Sequence, residues 1–174
     1  MPEITFREAP EVRHIAKQLI ENHHPELKNA RMLYLFREGS WPAKGGQATW
    51  AKAKKCSALE EHLGHADFII IVNEDIWNKD IPRLYTSVAR RQQIYTALIG
   101  HELSHCGKSV EGNWTLFDHE FVGFKKELNV YGAWSEALQG LQETLLTGGQ
   151  ISYVVPYTAP EEDKALELTL RRVK

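Results

Sequence analysis

Cysteine is scarce: only Cys56 and Cys106 occur among 174 residues, which allows one bridge at most and no disulfide framework, and a reducing cytosol is the simpler setting. A dominant charge sign is missing too. The formal net charge of −2 lacks the basic excess of a general nucleic-acid binder, and it gives no reason to expect an acidic substrate or a membrane surface. No apolar run is long enough to span a bilayer. The stretch Met1-Pro2-Glu3-Ile4-Thr5-Phe6-Arg7-Glu8 lacks the basic start and apolar core of a signal peptide, so the expected location is intracellular and cytoplasmic. Repeats, low-complexity blocks and linkers are absent as well, which predicts one domain over 1–174, long enough to bury a core unaided.

Within that domain the apolar periodicity predicts both helices and strands, an α+β fold. Val12, Ile15, Ala16, Leu19 and Ile20 share one helical face in 9–22, and His23-His24-Pro25 breaks that helix. Met32 to Phe36 reads as a strand, while Pro42, Gly45 and Gly46 mark a loop and 47–55 an exposed extended segment. Ser57 can cap a short helix that stops at Gly64. Phe68-Ile69-Ile70-Ile71-Val72 is the clearest strand, expected beneath a long helix over 87–106 that ends at Gly107. A helix capped by Asp118 should carry Phe121, Phe124 and Leu128, and another from Ser135 should bury Leu138, Leu141 and Leu145. Ile151 to Val155 and the alternating Leu166, Leu168 and Leu170 read as strands.

The chemistry lies in His101-Glu102-Leu103-Ser104-His105, an H-E-x-x-H segment whose upstream Ile94, Ala97, Leu98 and Ile99 predict a buried helix. Residues i and i+4 lie one turn apart on one face, so His101 and His105 can present two imidazoles to one Zn²⁺. Glu102 sits beside them, where it can accept a proton from water as a general base. The plainer alternative is two histidines on a polar helix edge. A catalytic zinc takes three protein ligands and leaves a position for water. The leading third candidate is His119, thirteen residues beyond His105, in the first turn of the helix capped by Asp118. Glu120 and Glu143 are carboxylate rivals, and Asp118 and Glu120 could hydrogen-bond the ligands. Glu143 is ranked lower because Leu141 and Leu145 take the core side of its helix. Cys106 points away from the metal face and packs.

The stretch from Ala66 to Trp134 resembles the phage metallopeptidase family, itself similar to SprT-like zinc peptidases. The resemblance is carried by Ala66-Asp67-Phe68-Ile69-Ile70, Asp75-Ile76-Trp77, His101 to Cys106, Asp118-His119-Glu120-Phe121 and Tyr131-Gly132-Ala133-Trp134. It implies one Zn²⁺ per chain held by His101, His105 and His119, with Glu102 as base. It also implies a small zincin-like α+β domain, its active-site helix packed on a short mixed sheet whose edge receives an extended peptide or protein substrate. The cytoplasm would then be that of a host cell. SprT-like proteins often add a zinc ribbon, which two cysteines cannot build, so their DNA-linked roles do not carry over.

Two further constellations carry possible chemistry. Tyr131 could offer its hydroxyl to an oxyanion, against the plainer role of an aromatic packing on Trp134. Trp41, Lys44, Trp50, Lys52, Lys54 and Lys55 mix cations and aromatics as a single-strand binder does, but the overall charge favours a solvated loop or substrate flap. Two other functions compete with the peptidase: another zinc amide hydrolase of the deformylase type, and a zinc-containing protein-binding module without activity. Cys56 lacks the glycine-rich surroundings the first would need, and an intact Glu102 is superfluous in the second.

Overall fold

The computed structural model describes residues 3–39, 41, 48–64, 66–119 and 136–147. Four strands make one mixed sheet: β1 (Thr5–Glu8), β2 (Met32–Glu38), β3 (Ala51–Lys55) and β4 (Phe68–Asn73), in the order β1-β2-β4-β3. β1 runs antiparallel to β2, β2 parallel to β4, and β3 antiparallel to β4. Strand residues alternate between faces. Tyr34, Phe36, Phe68, Ile70, Val72 and Ala53 therefore fall on one side and are buried there. Leu33, Leu35, Ile69 and Ile71 on the other side are only half-buried.

Helix α1 (Pro10–Asn22) covers the buried face with Val12, Ile15, Ala16 and Leu19. Pro10 suits the first turn, where its missing N–H would have had no partner. A short helix α2 (Ala58–Gly64) starts at Ser57, whose N–H and hydroxyl both donate to Glu60 at 2.9 Å. After β4, Asn73 Oδ1 accepts from the backbone of Asp75 and Ile76, starting a π-helical turn (Ile76–Asp80) that leads into α3 (Ile81–Leu84). This turn drives Trp77 into the core, edge-on to Phe36 at 5.6 Å and stacked on Tyr95 at 4.2 Å. The long helix α4 (Val88–Ser104) follows, then a hairpin of β5 (Cys106–Lys108) and β6 (Trp114–Leu116), and finally α5 (Glu136–Leu146). No described helix is long and apolar enough to cross a membrane.

The α+β expectation agrees with this mixture of helices and sheet, and several details change. The segment expected to be exposed and extended contains β3, an edge strand with Ala53 buried in the core. β1 and the 76–84 helical stretch were not anticipated. α4 stops at Ser104, two residues early, because Phe117 N–H takes the carbonyl of His105 and turns the chain into the hairpin. Cys106 and Gly107 thus belong to a strand and not to a helix end. α4 is also less buried than expected: Thr96, Ile99, Glu102 and Leu103 point inward, while His101 and Ser104 are exposed. Leu141 and Leu145, read as core, are 39% and 72% exposed. The helix expected beyond Asp118, with Phe121, Phe124 and Leu128, and both C-terminal strands lie outside the described residues.

One ion pair locks the two parallel strands where they begin. Asp67, buried just ahead of β4, accepts from Arg31 just ahead of β2: from its backbone N–H at 2.7 Å and from its guanidinium at 2.7 and 3.2 Å. These bonds hold the Asp67 carboxyl below its ordinary value of 3.8, although burial pushes the other way. The unfolded chain therefore binds that proton more readily. Asp67 stabilises the fold in full above pH 3.8, and the contribution is lost as pH falls through the lower folded value. Asp67→Asn should cost about 1–3 kcal/mol in urea unfolding at neutral pH, with the deficit shrinking under acid.

Candidate metal centre

α4 and the hairpin that follows it deliver three imidazoles to one point. His101 and His105 stand one turn apart at the end of α4, their ring centroids 5.0 Å apart. β6 runs back beside the helix end, and the chain just beyond it brings His119 to within 5.0 Å of the His101 ring and 4.6 Å of the His105 ring, centroid to centroid. His119 stands in residues 117–119, which have no regular structure, and not in a helical turn.

The donor atoms converge as well. His101 Nε2 and His119 Nε2 lie 3.1 Å apart. That is near the ~3.3 Å separating two nitrogens bound tetrahedrally to one ion at about 2.0–2.1 Å. One ligand atom from each of the three histidines falls within 4.8 Å of the other two. His105 is held from behind. Its Nδ1 lies 2.6 Å from the carbonyl oxygen of Phe117, and its own carbonyl accepts from Phe117 N–H at 2.7 Å. A carbonyl can only accept, so the ring proton sits on Nδ1 and the Nε2 lone pair is left for a cation. Partial desolvation in the cleft, and then the two neighbouring imidazoles, press His101 below its ordinary 6.5, which favours the neutral form that a ligand needs. Three imidazoles in this arrangement fit a divalent cation of the zinc type.

Glu102, beside them on α4, turns inward and is 5% exposed. Its Oε2 accepts the N–H of Ala53 in β3 at 2.5 Å. Burial pushes its carboxyl above the ordinary 4.5, while the Ala53 bond and the imidazoles of His105 and His119 oppose the shift. The outcome is a carboxylate more basic than usual at the edge of the histidine cluster. Ala51, Lys52, Ala53, Leu116, Phe117 and Asp118 line a cleft together with His101, Glu102, His105 and His119.

The structure thus brings together His101, Glu102, His105 and His119 and places Asp118 on the cleft wall. Glu120 and Tyr131 lie outside the described residues. Glu143, exposed on α5, is not in the histidine cluster. Cys106 is buried, as expected of a packing residue, with its thiol donating to the Glu102 carbonyl at 3.6 Å and pushed up to about 12 by burial. Of the cation and aromatic group, Trp41 lies under the Arg37 guanidinium at 4.7 Å, Lys54 pairs with Glu60, and Lys44 is outside the described residues. Two contributors had no sequence signal, the N–H of Ala53 and the carbonyl of Phe117. Both are backbone groups that any residue type could supply.

Among known proteins, no curated protein and no solved structure matches the chain. A family model described as "Putative phage metallopeptidase" matches residues 4–145, a span that takes in the whole four-stranded sheet together with His101, Glu102, His105 and His119. Since that match covers most of its length, the chain belongs to this phage metallopeptidase family.

Proposed function

We propose that the protein is a zinc-dependent metallopeptidase of zincin-like fold that hydrolyses peptide bonds with water. The observation that carries this reading is the convergence of three histidine nitrogens within 4.8 Å of one another beside a buried carboxylate. Membership of a metallopeptidase family supports the same reading and implies peptide or protein substrates.

His101, His105 and His119 would hold the ion, each through a neutral nitrogen. When bound, zinc supplies Lewis acidity, polarising a substrate carbonyl and lowering the pKa of a water towards about 7. Glu102 does the proton work. With Oε2 engaged by Ala53, its Oε1 takes a proton from the attacking water and returns it to the leaving amine nitrogen. A carboxylate made more basic by burial suits this task near neutral pH. The substrate would lie extended along β3, the edge strand that lines the cleft, and hydrogen-bond to it as an added strand.

Elemental analysis of untagged protein is expected to find about one zinc per chain, with chelation abolishing cleavage of an unstructured peptide library and added zinc restoring it. A folded, metal-free protein that takes up no zinc would overturn the proposal.

A further inference from the structure

The parity of β3 decides what its edge can offer. Asn73 N–H donates to the carbonyl of Trp50 at 2.8 Å, and Cys56 N–H donates to that of Asp67 at 2.9 Å. In the antiparallel register from Ala51↔Val72 to Lys55↔Phe68, the even-numbered residues therefore make the ladder with β4. The odd residues Ala51, Ala53 and Lys55 turn their peptide groups to the outer edge, which pairs with no strand among the described residues and has α4 and β6 close beside it. Of those three N–H groups, that of Ala53 is occupied by Glu102 Oε2 at 2.5 Å. Both partners are buried, at 6% and 5% exposure, so water competes little for this charge-assisted bond.

An extended chain added to such an edge seeks bonds at alternate residues, here Ala51, Ala53 and Lys55. At the middle position it finds the carbonyl of Ala53 but not the N–H. We propose that Ala53 is a positioning residue with a double role: its N–H fixes Glu102, and by withholding that N–H it sets the register of a bound peptide. The substrate carbonyl that faces Ala53 gains no bond from the strand. It is left beside His101 and Glu102 and is the one attacked, while the peptide groups of Ala51 and Lys55 hold the chain on either side. This inference rests on the hydrolytic reading above, and it requires a substrate that is unfolded over several residues around the cleavage point.

Proline can delete an edge N–H at an odd position without breaking a ladder bond, because those N–H groups point away from β4. In the zinc-loaded protein acting on a fluorogenic extended peptide, Ala51→Pro should raise KM about 2- to 10-fold with kcat nearly unchanged. Ala53→Pro should instead lower kcat about 10- to 100-fold with KM little changed and zinc content intact. A second measurement needs neither turnover nor proline. The Ala53 amide should exchange slowly with solvent deuterium in the wild type and rapidly in Glu102→Ala, while the Ala51 amide exchanges at the same rate in both. Indistinguishable kinetics for the two proline variants, or a fast-exchanging Ala53 amide in the wild type, would overturn the proposal. Zinc-loaded wild type that cleaves no peptide defeats the hydrolytic reading instead, and the exchange rates then decide the Glu102 contact by themselves.

Discussion

Glu102→Gln is expected to keep its zinc and lose hydrolysis by a factor of about 10²–10⁴, the usual contribution of a positioned general base. The substitution is close to isosteric, and the glutamine oxygen can still accept from Ala53 N–H. What disappears is the capacity to take a proton. None of the three clustered histidines is altered, so metal content should match the wild type. Steady-state cleavage with parallel elemental analysis reads both quantities. Undiminished hydrolysis would remove Glu102 from the reaction. Loss of zinc along with activity would make it a structural support of the ion.

The second large effect is expected at His119. Its Nε2 faces that of His101 at 3.1 Å, and two histidines on one helix turn leave a zinc ion short of the three protein ligands it takes in catalytic sites. His119→Ala should weaken zinc binding beyond the about 10- to 100-fold that loss of an outer hydrogen-bonding partner costs. A competition titration with a chromogenic chelator gives the affinity. Thermal unfolding gives an independent check: added zinc should raise the midpoint of the wild type and do little for the variant. Protons should displace the metal from the wild type as pH falls. Since the folded environment disfavours protonated His101, that competition from His101 sets in below its ordinary 6.5. Unchanged affinity in His119→Ala would point to Glu120 or to another residue as third ligand.

How far the molecule could be read from its residues depended on the kind of signal. Strong periodicity with clear punctuation marked α1, with its four inward apolar residues and Pro10, and β4, with five apolar residues in succession. β3 was harder: Ala51-Lys52-Ala53-Lys54 does alternate in polarity, but alanine in a strand carries little burial signal and three lysines suggest an exposed segment. The end of α4 was misplaced because a tertiary bond, from Phe117 N–H to the His105 carbonyl, stops the helix before Gly107 can. β1 is exposed along its whole length, so it has no apolar pattern and exists through its pairing with β2. At the metal centre, the side-chain candidates could be named from spacing and chemistry. The groups that orient them could not, since main-chain N–H and C=O are common to almost every residue.

The pair of hydrogen bonds between His105 and Phe117 also bears on how relatives of this chain could be sought and altered. It closes the β5–β6 hairpin at its base, where the ring of Phe117 rests so near Gly107 that a Cβ there would come within 2.6 Å of it. At the far end, Ser109 N–H meets the Asn113 carbonyl at 2.8 Å, Val110 is fully exposed, and Gly112 turns with φ at +83° into open space. The stretch separating the second histidine from the third is thus measured by the length of a ribbon whose tip is not among the residues lining the histidine cleft. Evolution could lengthen or trim that tip while both ends stay in place, so a fixed residue count between the histidines is a poor diagnostic of kinship. The same tip is the natural place to graft an epitope or a fluorophore.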